Sequence, residues 1–122
     1  MVLVDTSVWI EFLRLKNARL KILLERGEIY GHPFVIGELA CGNFVRREEI
    51  LCLLRSLPQA VVAEHEEAMR FLEIHRLMGL GLGYVDVHLL ASSRLTGTPL
   101  WTRDHALARA AGRLGCAFPP AS

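Results

Sequence analysis

The stretch "VLVDTSVWIEF" at residues 2–12 joins a short apolar run to a carboxylate, Asp5, followed by two hydroxyl side chains and a large aromatic residue. Its three opening apolar residues are too few for a helix and are typical of a buried strand. The apolar residues after Asp5 recur with helical spacing. We therefore predict a strand at 2–4 and a following helix, capped by Thr6 or Ser7.

The rest of the chain repeats this alternation of strand and helix. Further short strands are predicted at 28–31, 60–63, 99–102 and 116–118. Helices are predicted at 17–27, 33–42, 46–57, 64–79, 85–97 and 104–115. Such alternation favours a parallel sheet covered by helices on both faces, and continuous apolar strands agree with it. We predict an α/β fold with five parallel strands in a single domain, residues 1–122.

Composition narrows the class of protein further. The chain has 122 residues, 52% of them hydrophobic, and a mean hydropathy of +0.30, which argues against disorder. Its apolar runs are shorter than the roughly 20 residues that span a bilayer, and the N-terminus lacks the features of a signal peptide. Three scattered cysteines indicate reduced thiols, so we expect a cytoplasmic protein. A net charge of +1 gives no general argument for nucleic-acid binding.

Four acids fall near the ends of predicted strands. Asp5 directly follows the first strand, and Asp104 follows the fourth by two residues. Glu38 lies in the helix after the second strand, and Asp86 lies in the first turn of the helix before the fourth. Open α/β sheets bind ligands beyond the carboxyl ends of strands, where the strand order reverses. With the order 3-2-1-4-5, all four acids would reach one crevice.

Four neighbouring carboxylates favour a divalent cation. Like charges raise one another's pKa, and Mg²⁺ or Mn²⁺ removes the repulsion because each prefers oxygen ligands. Such a site suits phosphodiester hydrolysis. Each acid also has an ordinary interpretation. Asp5, Asp86 and Asp104 could serve as helix caps or first-turn acids, and Glu38 as a solvated helix residue.

Four segments carry a resemblance to a known family. They are "VDTSVWIEFLR" (4–14), "FVIGELACG" (34–42), "YVDVHLLASSRLTG" (84–97) and "PLWTRDHALARAA" (99–111). In order and spacing they resemble the PIN domain, and within it the VapC toxins of prokaryotic toxin–antitoxin pairs. The resemblance implies a PIN-like three-layer α/β/α sandwich with strand order 3-2-1-4-5. It also implies a metal-dependent endoribonuclease, the toxin of a type II pair. Residues 43–83 match in layout only.

The resemblance also assigns roles. It implies an acidic quartet that binds Mg²⁺ or Mn²⁺, assisted by two hydroxyls: Asp5, Glu38, Asp86 and Asp104, with Ser7 and Thr102. Arg103, followed by Arg14, is our candidate for contacting the scissile phosphate. The implied partners are an RNA substrate, a second copy in a homodimer, and a VapB-like antitoxin. The helices at 17–26 and 46–57 are candidate faces for that antitoxin.

Other interpretations remain open at this point. The main alternative is a non-catalytic PIN-like scaffold that binds RNA or protein. The glycines at 79–83 follow a helix rather than a strand, so they predict a loop and not a dinucleotide site. The histidines lack zinc-ligand spacing, although His105 could approach the acids. Trp9 is expected in the core. An aspartyl phosphatase would usually need a second Asp where Ser7 stands, and a phospho-receiver would need an acceptor after the third strand.

Overall fold

Three short strands form a parallel sheet in the order β2-β1-β3 in the computed structural model, which describes residues 1–119. The strands are β1 (Val2–Val4), β2 (Ile29–Tyr30) and β3 (Leu100–Trp101). The helices in this part of the chain are α1 (Thr6–Leu15), α2 (Ala18–Glu25), α3 (Pro33–Ala40), α4 (Arg47–Ser56), α5 (His65–Ile74), α6 (Tyr84–Thr96) and α7 (His105–Arg113). The predicted α/β class with a parallel sheet is confirmed.

The opening strand lies at the centre of this sheet. Leu3 pairs with Tyr30 on one side and with Leu100 on the other, both in parallel register. All three residues of β1 are buried, as expected of a strand covered on both faces. Because β1 runs parallel to both neighbours, the segments that follow β1 and β3 leave the same edge of the sheet.

The two outer strands of the predicted five are each reduced to one parallel bridge. Gly31 pairs with Gln59 on one side of the sheet, and Leu100 pairs with Ala117 on the other. At the first edge the pairing stops early because Pro33, two residues after Gly31, has no N–H to continue the ladder and begins α3. The Val61 N–H, on the side away from β2, bonds to the Thr96 hydroxyl, 2.9 Å away. Gln59 lies one residue before the strand predicted at 60–63 and Ala117 lies within the one predicted at 116–118, and neither segment forms an extended strand.

Two local predictions were wrong. Helix α5 ends at Ile74 rather than at 79, and Arg76 then takes a left-handed backbone conformation with φ 53°. This turn allows Leu77 to enter the core. The predicted caps of α1 also differ: Asp5 is the N-cap residue, without a side-chain cap bond, and Thr6 begins the helix.

The core and the cysteines agree with expectation. Trp9 is 1% exposed and packs in the main apolar cluster with the strands. The three cysteines are free thiols: Cys41 and Cys52 are exposed and Cys116 is buried. Within residues 1–119, we find no helix with the length and apolar character needed to cross a membrane.

A buried histidine joins α3 to α6. The His32 Nδ1 atom accepts a hydrogen bond from the Phe34 N–H at 3.0 Å and so caps α3. Its Nε2 atom lies 2.9 Å from the Ser92 hydroxyl. Because Nδ1 is an acceptor, the proton of the neutral ring resides on Nε2. Burial, reinforced by the nearby His88, lowers the pKa of His32 from 6.5 to about 4.

This lowered pKa makes stability depend on pH. Below pH 6.5 the unfolded chain protonates His32 while the folded chain keeps it neutral, so we expect stability to fall as pH drops from 6.5 towards about 4. His32 should contribute roughly 2–3 kcal/mol to the loss. His32→Asn, which retains a cap acceptor, should flatten the pH dependence measured by urea unfolding. His105→Gln, at an exposed position, is the control; equal slopes for both variants would contradict the assignment.

Candidate active site

The carboxylate of Asp5 stands where β1 ends, and it is only 6% exposed. Its backbone N–H bonds to the Trp101 carbonyl at 2.9 Å, which ties it to β3. The Ser7 and Thr102 hydroxyls both donate to the Oδ2 atom of Asp5, each at 2.7 Å. A buried carboxylate needs such donors to remain charged. Asp5, which precedes α1, and Thr102, which precedes α7, thus meet at the Oδ2 atom of Asp5.

The second acid, Asp104, is held close to the first through Thr102. The Asp104 N–H donates to the Thr102 hydroxyl oxygen at 3.0 Å, while that hydroxyl donates to Asp5. One oxygen of Asp104 also accepts from the Leu107 N–H at 2.8 Å, so this acid is the N-cap of α7. The cap interpretation is correct for that oxygen, and the side chain remains exposed.

The pKa of Asp86 responds to the charges of the other acids. Burial raises its pKa, the Gly83 N–H opposes that effect, and the charges of Asp5, Asp104 and Glu38 raise the pKa further. The Gly83 N–H donates to its Oδ2 atom at 2.9 Å, which completes a capping contact at the start of α6. Because Coulomb repulsion weakens with distance, this effect on the pKa of Asp86 agrees with the expectation that the acids lie near one another.

The fourth acid, Glu38, is positioned by a residue that we had assigned to capping. The Thr6 hydroxyl donates to the Glu38 Oε1 atom at 2.6 Å, which links α1 to α3. Glu38 itself is exposed. Thr6 is therefore a site residue that the sequence reasoning missed. Its position directly after Asp5, on a helix that turns its first residues towards the crevice, was the signal that could have identified it.

The two candidate arginines have different surroundings. Arg103 forms a two-pronged ion pair with Glu11, with Nε–Oε2 at 2.7 Å and Nη2–Oε1 at 3.0 Å. Its backbone N–H donates to the Ser7 hydroxyl at 2.9 Å. Arg14 instead lines an apolar groove that also borders Glu38. The sequence offered no signal for the Glu11 pairing, since the partners are 92 residues apart.

The carboxylate oxygens suit a hard cation, although the acids do not lie close enough together to hold it by themselves. Among residues 1–119 there is no group of three His, Cys, Asp or Glu side chains arranged closely enough to hold a metal by themselves. All four acids offer carboxylate oxygens, and mutual repulsion already acts on Asp86. Mg²⁺ keeps several waters and often takes only one or two protein carboxylates. The acids therefore fit a cation held partly through water.

Two histidines close in sequence to the acids differ in their surroundings. His88 is 1% exposed and packs edge-on against Phe34 and Tyr84, with ring centroids 4.7 and 4.6 Å away. Within the part of the chain that the structure describes, neither of its ring nitrogens has a hydrogen-bond partner. His105 is exposed at the first position of α7. The glycines at 79–83 form the predicted loop.

Comparison with known proteins agrees with this fold. Residues 2–113 match the PIN domain family. Ribonuclease VapC32 from two strains of Mycobacterium tuberculosis is 49% identical over 119 residues, covering 97% of this chain and 96% of the relative. A crystal structure of PAE2754 from Pyrobaculum aerophilum superposes with a TM-score of 0.60 at 19% identity, over 89% of this chain and 78% of that one.

These matches define the class of the protein. The chain belongs to the PIN domain family, since the family match spans nearly the whole chain. Within that family, the 49% identity over almost its full length places it with the VapC-type ribonucleases. PIN nucleases are metal-dependent, as the acidic crevice leads one to expect.

The hydroxyl of Thr102 can be tested separately from the backbone around it. Thr102→Val removes a donor from the buried Asp5 carboxylate and an acceptor from the Asp104 N–H. We expect the free energy of unfolding without metal to fall by about 1–3 kcal/mol. Thr102→Ser keeps the hydroxyl and should change it by less than about 0.5 kcal/mol. Urea denaturation measures both, and equal losses would contradict a role for the hydroxyl.

Proposed function

We propose that this VapC-type ribonuclease hydrolyses RNA phosphodiester bonds as the toxin of a type II toxin–antitoxin pair. The observation that carries the proposal is the buried Asp5 carboxylate at the end of β1. It is fixed by two hydroxyls, and its charge, together with those of Asp104 and Glu38, raises the pKa of Asp86. A site of this kind, in a chain 49% identical to a ribonuclease, supports endonucleolytic cleavage of RNA.

Asp5, Glu38, Asp86 and Asp104 would hold Mg²⁺ or Mn²⁺, directly or through water. The cation, when bound, neutralises charge on the phosphate and makes a bound water easier to deprotonate. The chain's own residues do the positioning. Asp5 is rigid because it is buried at the strand end with two fixed donors. Glu38 is exposed and accepts a hydrogen bond from the Thr6 hydroxyl, and it would orient the attacking water.

The polar side chains around the acids would then bind the substrate. Ser7 and Thr102 donate their hydroxyl protons to Asp5, and the remaining lone pairs of their oxygens could accept a hydrogen bond from a water at the site. Arg103 uses two of its donors on Glu11, and a guanidinium has five, so donors remain for the scissile phosphate. Arg14, beside Glu38 at the groove, is the second candidate.

The partners follow from the class of toxin. We propose that the chain acts in the cytoplasm, forms a homodimer and is inhibited by a VapB-like antitoxin. The apolar groove lined by Ile10, Leu13, Leu39 and Phe44 borders Glu38, so a bound antitoxin segment there would lie beside the acids. This groove lies between α1 and α3, and not on the faces at 17–26 and 46–57 that we first considered.

The order of five strands and the three-layer arrangement are also part of the proposal. The bridges at Gln59 and Ala117 extend the order β2-β1-β3 by one segment on each side. This extension supports a five-stranded arrangement in the order 3-2-1-4-5, and the helices that connect the strands support a three-layer α/β/α sandwich. We propose that residues 1–122 form one such domain.

Loss of Asp5 tests the nuclease assignment. Purified protein with Mn²⁺ or Mg²⁺ should cleave RNA from growing cells at defined positions, detected by sequencing the new ends. Asp5→Asn keeps the size and hydrogen bonds but removes the charge, and we expect activity to fall at least about 100-fold. Glu73→Gln, at an exposed position on α5, should retain full activity. Equal cleavage by wild type and Asp5→Asn would end this assignment.

Metal titration separates the enzyme from the non-catalytic scaffold. In wild type, saturating Mn²⁺ should raise thermal stability, by about 2.7 kcal/mol at 100 times Kd. Asp86→Asn relieves repulsion among the acids while keeping an acceptor for Gly83. The variant should therefore be at least as stable as wild type without metal, yet gain little from Mn²⁺. Absence of both metal stabilisation and cleavage in wild type would favour the scaffold.

A further inference from the structure

An open cavity of about 370 Å³ lies beside the acidic crevice, on the side of β3. Its lining includes two arginines, two aromatic rings and two small polar side chains: Arg19, Arg103, Trp101, Phe118, Asn17 and Thr102. We refer to it as the Arg19 cavity. The roles assigned above to the acids and hydroxyls leave most of this cavity without a function.

The Arg19 cavity is joined to the acids by shared residues. Thr102 lines the cavity and donates its hydroxyl proton to the Asp5 carboxylate at 2.7 Å. The next residue, Arg103, also lines the cavity, and its N–H bonds to the Ser7 hydroxyl. A substrate strand bound at the acids therefore needs only a short path to enter the cavity.

The charge of the Arg19 cavity favours an anion. Two guanidinium groups line it, and within residues 1–119 the acid bound to them is Glu11, which pairs with Arg103. Arg19 donates from Nη2 to the Pro119 carbonyl, a neutral group, at 2.7 Å. One positive charge therefore remains uncompensated by this pairing, beside a crevice where a phosphodiester would be cut. Arginine suits phosphate because its planar fork can form two parallel hydrogen bonds.

The aromatic rings give the cavity a flat surface as well as charge. Trp101 and Phe118 pack with ring centroids 5.2 Å apart. The guanidinium carbon of Arg19 lies 4.1 Å from the Phe118 centroid and 5.4 Å from that of Trp101. The rings thus support one face of the guanidinium plane. Unpaired RNA bases stack on arginine planes and aromatic rings, which is how single-stranded RNA is commonly recognised.

We propose that the Arg19 cavity receives the nucleotide next to the scissile phosphate, a role that rests on the ribonuclease function proposed above. Arg103 contacts the phosphate that lies between the crevice and the cavity. Arg19 stacks against the base of that nucleotide and adds a charge contact to the backbone. The cavity therefore holds the strand in register with the acids and contributes to the choice of cleavage position.

A binding experiment without metal tests the cavity apart from catalysis. The probe is a fluorescein-labelled, 12-nucleotide single-stranded RNA of mixed sequence, measured by anisotropy in EDTA over a range of NaCl concentrations. Arg19→Gln should weaken binding about 10-fold, within the range for losing one stacked base. It should also reduce the slope of log K against log salt by about 0.7, the value for one phosphate contact in a single strand. Arg55→Gln, at an exposed position on α4, is the matched control and should behave as wild type.

A cleavage experiment identifies the nucleotide. Once the cut position is mapped, RNAs carrying a single abasic residue on either side of it are compared by kcat/KM. In wild type, one position adjoining the cut should be sensitive to base removal, by roughly 10-fold. In Arg19→Gln that sensitivity should disappear. Arg19→Lys keeps the charge and should retain the salt slope while losing the sensitivity to the base. Melting temperatures establish that each variant is folded.

The outcomes separate the cavity from the nuclease assignment. If wild type cleaves RNA and Arg19→Gln keeps the affinity, salt slope and abasic profile of wild type, the cavity does not bind the substrate and the proposal is overturned. If wild type cleaves no RNA with any metal, the nuclease assignment fails first. Arg19-dependent binding of a 12-residue oligoglutamate peptide, with unchanged RNA affinity, would overturn the proposal in favour of an acidic protein partner.

Discussion

The site depends on one buried negative charge at the end of a central strand. Asp5 leaves the core at the edge of β1, and hydrogen bonds from the hydroxyls of Ser7 and Thr102 hold its carboxylate in place. Because Thr102 follows β3, its hydrogen bond also joins the segment after β3 to the segment after β1. The Oδ2 atom of Asp5 therefore contributes both to the stability of the fold and to the proposed active site.

Much of this arrangement could be predicted from the sequence. Apolar runs of strand length, alternating with helices, were enough for the α/β class, whereas the central position of β1 was implied by the family resemblance. The placement of Asp5, Asp86 and Asp104 at strand ends or helix starts was enough to group them, because parallel strands share a carboxyl edge. The electrostatic effect of the other acids on Asp86 agrees with that grouping.

The remaining features depend on contacts between distant residues, which local patterns do not encode. The strand at the first edge was predicted too long because the ladder from Gly31 meets Pro33, which has no N–H and begins α3. Helix α5 was extended too far because the left-handed Arg76 left no signal in the sequence. The Arg103–Glu11 pair joins residues at opposite ends of the chain, and the stacking of Arg19 on Phe118 is equally distant.

The bond from the Val61 N–H to the Thr96 hydroxyl has a consequence for association between chains. Val61 and Val62 are 51% and 42% exposed beside the edge of the sheet, and β-branched residues in that position invite pairing with a strand from another molecule. An added strand would need the backbone donor of Val61 to begin its ladder. Thr96 already occupies that donor, so a single hydroxyl protects the sheet from edge-to-edge aggregation.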